Sequence, residues 1–91
     1  MKKETKCPFV IGKSYFVRSL TYHILGKVKK VSGNFLVLEQ ASWIADSGRF
    51  TQAIDNGTLN EVEPVKCNVI VAFQNIVDAF EWKHKLPREQ K

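Results

Sequence analysis

The stretch from Gly26 to Leu38 constrains the fold more than any other part of this chain. Ser32-Gly33-Asn34 is a tight-turn signal lying between two apolar runs, and such a pattern places a strand on either side of a short hairpin loop. Phe35-Leu36-Val37-Leu38 then leaves the turn with apolar side chains at consecutive positions. A strand of that kind is buried on both faces, as a central strand of a closed barrel or sandwich is. On the other side, Gly26 interrupts a run that ends in Lys27-Val28-Lys29-Lys30-Val31. An isolated glycine within a strand pattern marks a bulge or a close backbone approach.

The flanking segments extend this β character. Ser14 to Ile24 is rich in β-branched and aromatic residues, with Phe16, Leu20, Tyr22 and Ile24 sharing a parity that Arg18 interrupts; it reads as strand, with His23 inside it. Val69 to Phe73, a turn at Gln74-Asn75, and the alternating Ile76 to Trp82 read as a closing hairpin. Between the two halves the period changes. Phe50, Ala53 and Ile54 fall on one helical face, Asp46 or Ser47 is placed to cap its start, and Asn56-Gly57 to end it through a left-handed residue. The fold expected is therefore mainly β, a small α+β domain. Five strands form a strongly bent antiparallel sheet or small barrel, with one short inserted helix at about 48–56 and an acidic loop at Glu61-Val62-Glu63-Pro64.

Ninety-one residues suffice for a single domain, 1–91, burying roughly two thirds of its unfolded surface. Residues 1–8 and the basic, proline-containing 83–91 are expected to be flexible ends. No apolar run approaches the roughly 18 residues of a membrane span. The charged Met1–Lys6 is followed by an apolar stretch too short for a secretory signal, so a cytoplasmic protein is expected. In that compartment Cys7 and Cys67, sixty positions apart, are expected to be reduced thiols with no metal-type spacing.

The net charge of +5 is unevenly spread. Residues 1–30 carry eight Lys/Arg against one acid, and residues 31–64 one Arg against five acids. That asymmetry implies a basic face, which attracts phosphates, nucleic acid or acidic proteins, or else is simply solvated. Its strand-borne members Arg18, Lys27, Lys29 and Lys30 are the candidates for nucleic-acid contact.

Catalytic signals are thin. His23 and His84 have no nucleophile or orienting partner in any recognisable motif, and no phosphate loop, HExxH, CxxC or EF-hand pattern occurs. No catalytic residue, metal or cofactor is assigned. Trp43-Ile44-Ala45-Asp46-Ser47-Gly48-Arg49-Phe50 is the least generic segment. At a strand-to-helix junction, Gly48 would admit a ligand to the backbone, Arg49 clamp a phosphate and Trp43 stack on a base. Asp46 would accept from ribose hydroxyls, with Ser47 beside it and Tyr22 or His23 completing the pocket. The alternative is local: Asp46 caps the helix, Arg49 pairs with Asp46 or Glu39, and Trp43 packs with Phe50.

The same octapeptide resembles the distinctive stretch of a family of short phage and prophage proteins, and the resemblance extends to Glu61-Val62-Glu63-Pro64 and Ile76-Val77-Asp78-Ala79, covering about Val17 to Trp82. It implies a phage-type protein. For one without enzymatic motifs it implies an anti-defence role, through sequestering a nucleotide-derived immune signal or gripping a host defence protein. Gly26-Lys27-Val28 and Gly33 to Ala41 are, more weakly, similar to the first conserved half of Sm-like proteins, with Val69 to Val77 looking like their closing hairpin. That similarity implies an Sm- or SH3-like barrel topology and a homo-oligomer, and it leaves an RNA- or single-stranded-DNA-binding module as an alternative function.

Overall fold

The computed structural model describes residues 8–91, so residues 1–7 of the expected N-terminal flexible end, Cys7 among them, lie outside the described residues. Among these residues, six antiparallel strands form one sheet with a single short helix: β1 (Ser14–Ser19), β2 (His23–Ser32), β3 (Phe35–Asp46), α1 (Phe50–Asn56), β4 (Glu61–Pro64), β5 (Val69–Ala72) and β6 (Ile76–Trp82). The strand order is β4-β3-β2-β1-β6, with β5 also paired to β3. Among the described residues, no helix is long and apolar enough to cross a membrane.

The β2–β3 hairpin turns at Gly33, whose φ of 58° supplies the positive dihedral that a two-residue loop demands. The bulge signalled by Gly26 is present, but the extra residue sits on the partner strand. Leu25 pairs with Ser42 and Lys27 with Glu39, so Gln40 and Ala41 together face Gly26. Gln40 takes φ 49°, the only positive value at a non-glycine residue among those described. A Cβ at position 26 would lie 3.1 Å from the Cβ atoms of both Ala41 and Leu38, so the glycine lets the two backbones close over the kink.

Three expectations about the strands are corrected. Ser14–Ile24 is two strands, because Ser19 turns the chain: its Oγ donates to the Tyr22 carbonyl (2.8 Å) and accepts the Tyr22 N–H (3.1 Å). Local side-chain bonds of this kind compete with a continuing strand. Leu20, which completed the apolar parity, is 82% exposed on that turn. The acidic segment 61–64 is a sixth strand, whose Val62 is buried between exposed Glu61 and partly covered Glu63. Finally, β5 and β6 are not a hairpin. β5 pairs with the first half of β3 and β6 with β1, and the 3-10 turn Phe73–Asn75 joins them.

That last connection bends the sheet. Laid flat, β5-β3-β2-β1-β6 would span roughly 19 Å at about 4.8 Å per strand, whereas three 3-10 residues advance about 6 Å. The sheet must curl to bring β5 and β6 within reach, although the two form no ladder with each other among the described residues.

Adjacent residues in a strand face opposite sides, and two apolar clusters accordingly cover the two faces. Phe16, Leu25, Ile44, Val62 and Trp82 pack under α1 through Ala53, Phe50 and Ile54, the helical face expected. Val17, Ile24, Val28, Leu36, Leu38, Ala41 and Val71 fill the other side, with Phe9 and Phe73 at its margin. The helix ends as the Asn56-Gly57 signal requires, with Gly57 at φ 77° donating to the Ala53 carbonyl. Its start differs: Arg49 is the N-cap without a side-chain cap bond, while Asp46 Oδ1 accepts from the Gly48 N–H at 2.8 Å. Asp46 therefore shapes the loop before the helix, because Ser47-Gly48-Arg49 separate it from the first turn.

Residues 83–91, expected as a flexible end, bond to their own domain. His84 Nε2 donates to the Ile54 carbonyl (2.8 Å), Ser42 Oγ to the Pro87 carbonyl (3.3 Å), and Arg88 to the carbonyls of Ala41 and Val65 (3.3 and 3.4 Å). Lys91 exchanges two backbone bonds with Val62 (2.8 and 2.9 Å), continuing the sheet beyond β4. Leu86 packs on the helix-side cluster.

Candidate anion-binding groove

The residues proposed from sequence as one pocket divide in the structure. Tyr22, His23 and Trp43 come together around a shallow cavity of about 140 Å³, because β2 begins at His23 and pairs Ile24 with Trp43. Asp46, Ser47 and Arg49 do not line it. Asp46 holds the Gly48 N–H, Ser47 Oγ lies 3.3 Å from the Gly48 carbonyl, and Arg49 is exposed at the helix start. Trp43 is 47% exposed, so it is not the core partner of Phe50; Phe50 packs instead on Phe16 and Phe80. The His23 ring sits 5.4 Å from that of Phe16.

The basic strand residues divide as well. Arg18 is committed to Asp78, its register partner on β6, through two bonds of 2.7 and 2.6 Å. Its guanidinium also lies over the rings of Phe50 and Phe80, at 4.7 and 5.4 Å. The fork-shaped donor matches a carboxylate while its flat face covers aromatics, so Arg18 fastens β1, β6 and α1 and offers little to a nucleic acid. The Arg18 hydrogen bonds hold the Asp78 carboxyl below the usual carboxylate range, against partial desolvation. A carboxyl depressed in the folded state contributes stability above its unfolded pKa, and that contribution is lost as pH falls through the folded value. The stability advantage of the native protein over Asp78→Asn is therefore expected to be constant near neutrality and to shrink below about pH 4. Urea unfolding of both proteins across that range measures it; an advantage that persists unchanged in acid would remove the ion pair as its source.

Lys29 and Lys30 are exposed on β2. Lys27 is different: it lines a groove of about 890 Å³. The kinked hairpin contributes Lys27 and Gln40 to it, the start of β1 and the turn before it contribute Ser14 and Gly12, and the whole opposing wall is residues 85–89 of the C-terminal segment. The groove exists because the bulge at Gln40 bends β3 and because the C-terminal segment crosses that bend, tied to Ala41 and Ser42. Backbone in a sparsely populated conformation is retained where surrounding structure enforces it, and functional sites are a common place for it.

Cations outnumber carboxylates along this groove. Lys27, Lys85 and Arg88 face it against one carboxylate, Glu89. Among the described residues the ion pairs are Lys13–Glu81 and Arg18–Asp78, so none of the three groove cations has a carboxylate within 4 Å. The remaining polar lining is the Ser14 hydroxyl and the Gln40 amide. Among the described residues, no histidine, cysteine or aromatic ring lines it, and no cluster of three or more His, Cys, Asp or Glu side chains is placed to hold a metal. Cys67 is an exposed free thiol elsewhere.

Of the groove residues, sequence reasoning named only Lys27. Lys85 and Arg88 were visible as a basic tail, but nothing local showed that the tail folds back. Comparison with protein-family models, curated proteins and solved structures returned no match to the chain, so its function is read from the groove itself.

Proposed function

We propose that the protein is a non-catalytic binding protein that captures a phosphorylated, nucleotide-type anion in the groove between the kinked β2–β3 hairpin and the C-terminal segment. The observation that carries this reading is the convergence of Lys27, Lys85 and Arg88 on one cavity with no carboxylate of the described residues in ion-pair range. Unneutralised cations around a concave site attract anions and gain strength where water is partly excluded. A volume of about 890 Å³ lies within the range of small-molecule sites, roughly 300–1,000 Å³. The lining has donors to hold a phosphate but no nucleophile–base pair to transform one, so binding is stoichiometric. In the phage setting implied by the Trp43–Phe50 segment, such capture lowers the free concentration of a nucleotide-derived immune signal in the host cytoplasm.

Calorimetry of the whole protein with ADP-ribose and with a cyclic dinucleotide tests this reading. At least one is expected to bind. Lys27→Glu is expected to weaken that binding about 10- to 100-fold while leaving the circular-dichroism spectrum unchanged, since a hydrogen bond to a charged group is worth about 1.5–3 kcal/mol. The absence of heat from every anion with folded protein overturns it.

A second reading, direct docking on a host protein, is favoured by a separate surface. Leu20, Tyr22 and Trp43 are 82%, 38% and 47% exposed, and Glu63 is the register partner of Trp43. Exposed aromatics with a polar border are common protein contacts. Host-protein capture lost in Trp43→Ala but retained in Lys27→Glu would favour this reading over anion binding.

A further inference from the structure

Resting on the anion-capture reading, we infer that the groove takes a compact polyanion with two or more neighbouring phosphoryl groups. This ligand bridges the sheet wall to the C-terminal wall and thereby fixes residues 85–89 onto the sheet.

Two features of the groove specify the ligand. The described residues give it three cations and one carboxylate, so a guest must bring more than one negative charge to balance it. It has no aromatic ring, and its apolar lining is Leu86 and Pro87, so it lacks the flat π-surface on which a nucleobase stacks. Recognition there rests on charge and on hydrogen bonds from Lys27, Lys85, Arg88, Gln40 and Ser14. A single phosphate occupies a small part of such a volume, whereas a chain of phosphoryl groups can reach cations on both walls.

The coupling follows from where those cations sit. Lys27 belongs to β2, and Lys85 and Arg88 belong to the C-terminal segment. That segment is pinned by short bonds at its two ends, His84 to Ile54 at 2.8 Å and Lys91 with Val62 at 2.8 and 2.9 Å. Between them, the bonds beside the groove are long: 3.3 Å at Pro87 and 3.3 and 3.4 Å at Arg88. Hydrogen bonds weaken towards such lengths, and three like charges around one cavity repel. The polar bonds of the segment beside the groove are thus longer than those at its ends, and a polyanion replaces repulsion across the groove with attraction. By linkage, whatever free energy the ligand gains from the docked segment, the docked segment gains from the ligand.

Hydrogen–deuterium exchange on the whole protein tests this at constant ionic strength, with tripolyphosphate, orthophosphate or AMP, each followed in parallel by calorimetry. Tripolyphosphate is expected to bind most tightly and to slow amide exchange over residues 85–89 about tenfold, with β1 unchanged. Lys27→Glu is expected to abolish that protection, although residue 27 lies on the sheet. Tripolyphosphate binding with no change in exchange at 85–89 overturns the bridge while leaving anion capture standing. Tighter binding of AMP than of tripolyphosphate overturns the polyphosphate class. No binding of any of the three, nor of ADP-ribose or a cyclic dinucleotide, overturns the underlying reading as well.

Discussion

Phe16→Ala is expected to lower the melting temperature by about 15–30 °C, leaving the domain marginally folded at room temperature. Phe16 is fully buried, and its ring meets those of His23, Phe50 and Trp82 at 5.4, 5.9 and 6.1 Å. One side chain on β1 thereby joins β2, the helix and β6. Removing a buried phenyl ring costs about 3–5 kcal/mol, from lost transfer energy and the cavity left behind. Total stability for a small domain is about 5–15 kcal/mol, and each kilocalorie moves the midpoint of a 60–100-residue domain by about 4–8 °C. The effect should reach the groove, because Trp82 Nε1 donates to the Lys85 carbonyl at 3.3 Å. Thermal unfolding by circular dichroism measures the first part, and exchange at residues 85–89 the second. A loss below about 1 kcal/mol would mean that the helix-side cluster repacks freely and is not the core of the fold.

The second large effect is expected at Gly57, where helix end and C-terminal segment meet. Gly57→Ala faces two separate costs. The residue has φ 77°, a left-handed conformation that costs an alanine about 1–2 kcal/mol. Its new Cβ would also stand 2.8 Å from His84 Cγ and 3.0 Å from His84 Cβ, atoms close to the backbone that cannot simply swing aside. His84 must move, and its 2.8 Å bond to the Ile54 carbonyl goes with it. A combined loss of about 2–4 kcal/mol is expected, since a lost hydrogen bond contributes about 1 kcal/mol more. A double-mutant cycle separates the parts. In a His84→Ala background, Gly57→Ala should cost only the conformational part. An equal cost in both backgrounds would show that the collision is relieved without loss.

Both sites show which parts of the fold were legible in advance. The Asn56-Gly57 stop, the Ser32-Gly33-Asn34 turn and the Phe50, Ala53, Ile54 face were readable because each depends on neighbours a few residues apart. Strand partners were not. Ile76 to Trp82 alternates as a hairpin strand does, yet β6 pairs with β1, sixty residues away in sequence at Arg18 and Asp78. The acidic segment 61–64 offers a single buried side chain, Val62, and becomes a strand because β3 continues past its kink and offers it a free edge.

For the site, the distinctive Trp43–Phe50 segment drew attention to itself, but its polar groups serve locally: Asp46 shapes a turn and Trp43 belongs to a different surface. The groove is built from residues with no motif among them. Lys27 and Arg88 share a cavity only because the chain returns to β3, and Arg18, grouped with Lys27 by charge, is occupied by Asp78.

Sequence alone determined the β-dominated character of this protein, its one helix and the positions of its sharpest turns, since glycine dihedrals and hydrophobic periods act over a few residues. Tertiary structure decided the phase of β3. Leu36 and Leu38 face one cluster, and the extra residue at Gln40 keeps Ala41 on that side while turning Ile44 towards the helix. A glutamine at φ 49° has no local signature, because what holds it there is the packing of Gly26 against Ala41 and Leu38 across the hairpin. The same kink opens the groove, so the position of the charged site followed from contacts between strands and not from any run of residues along one.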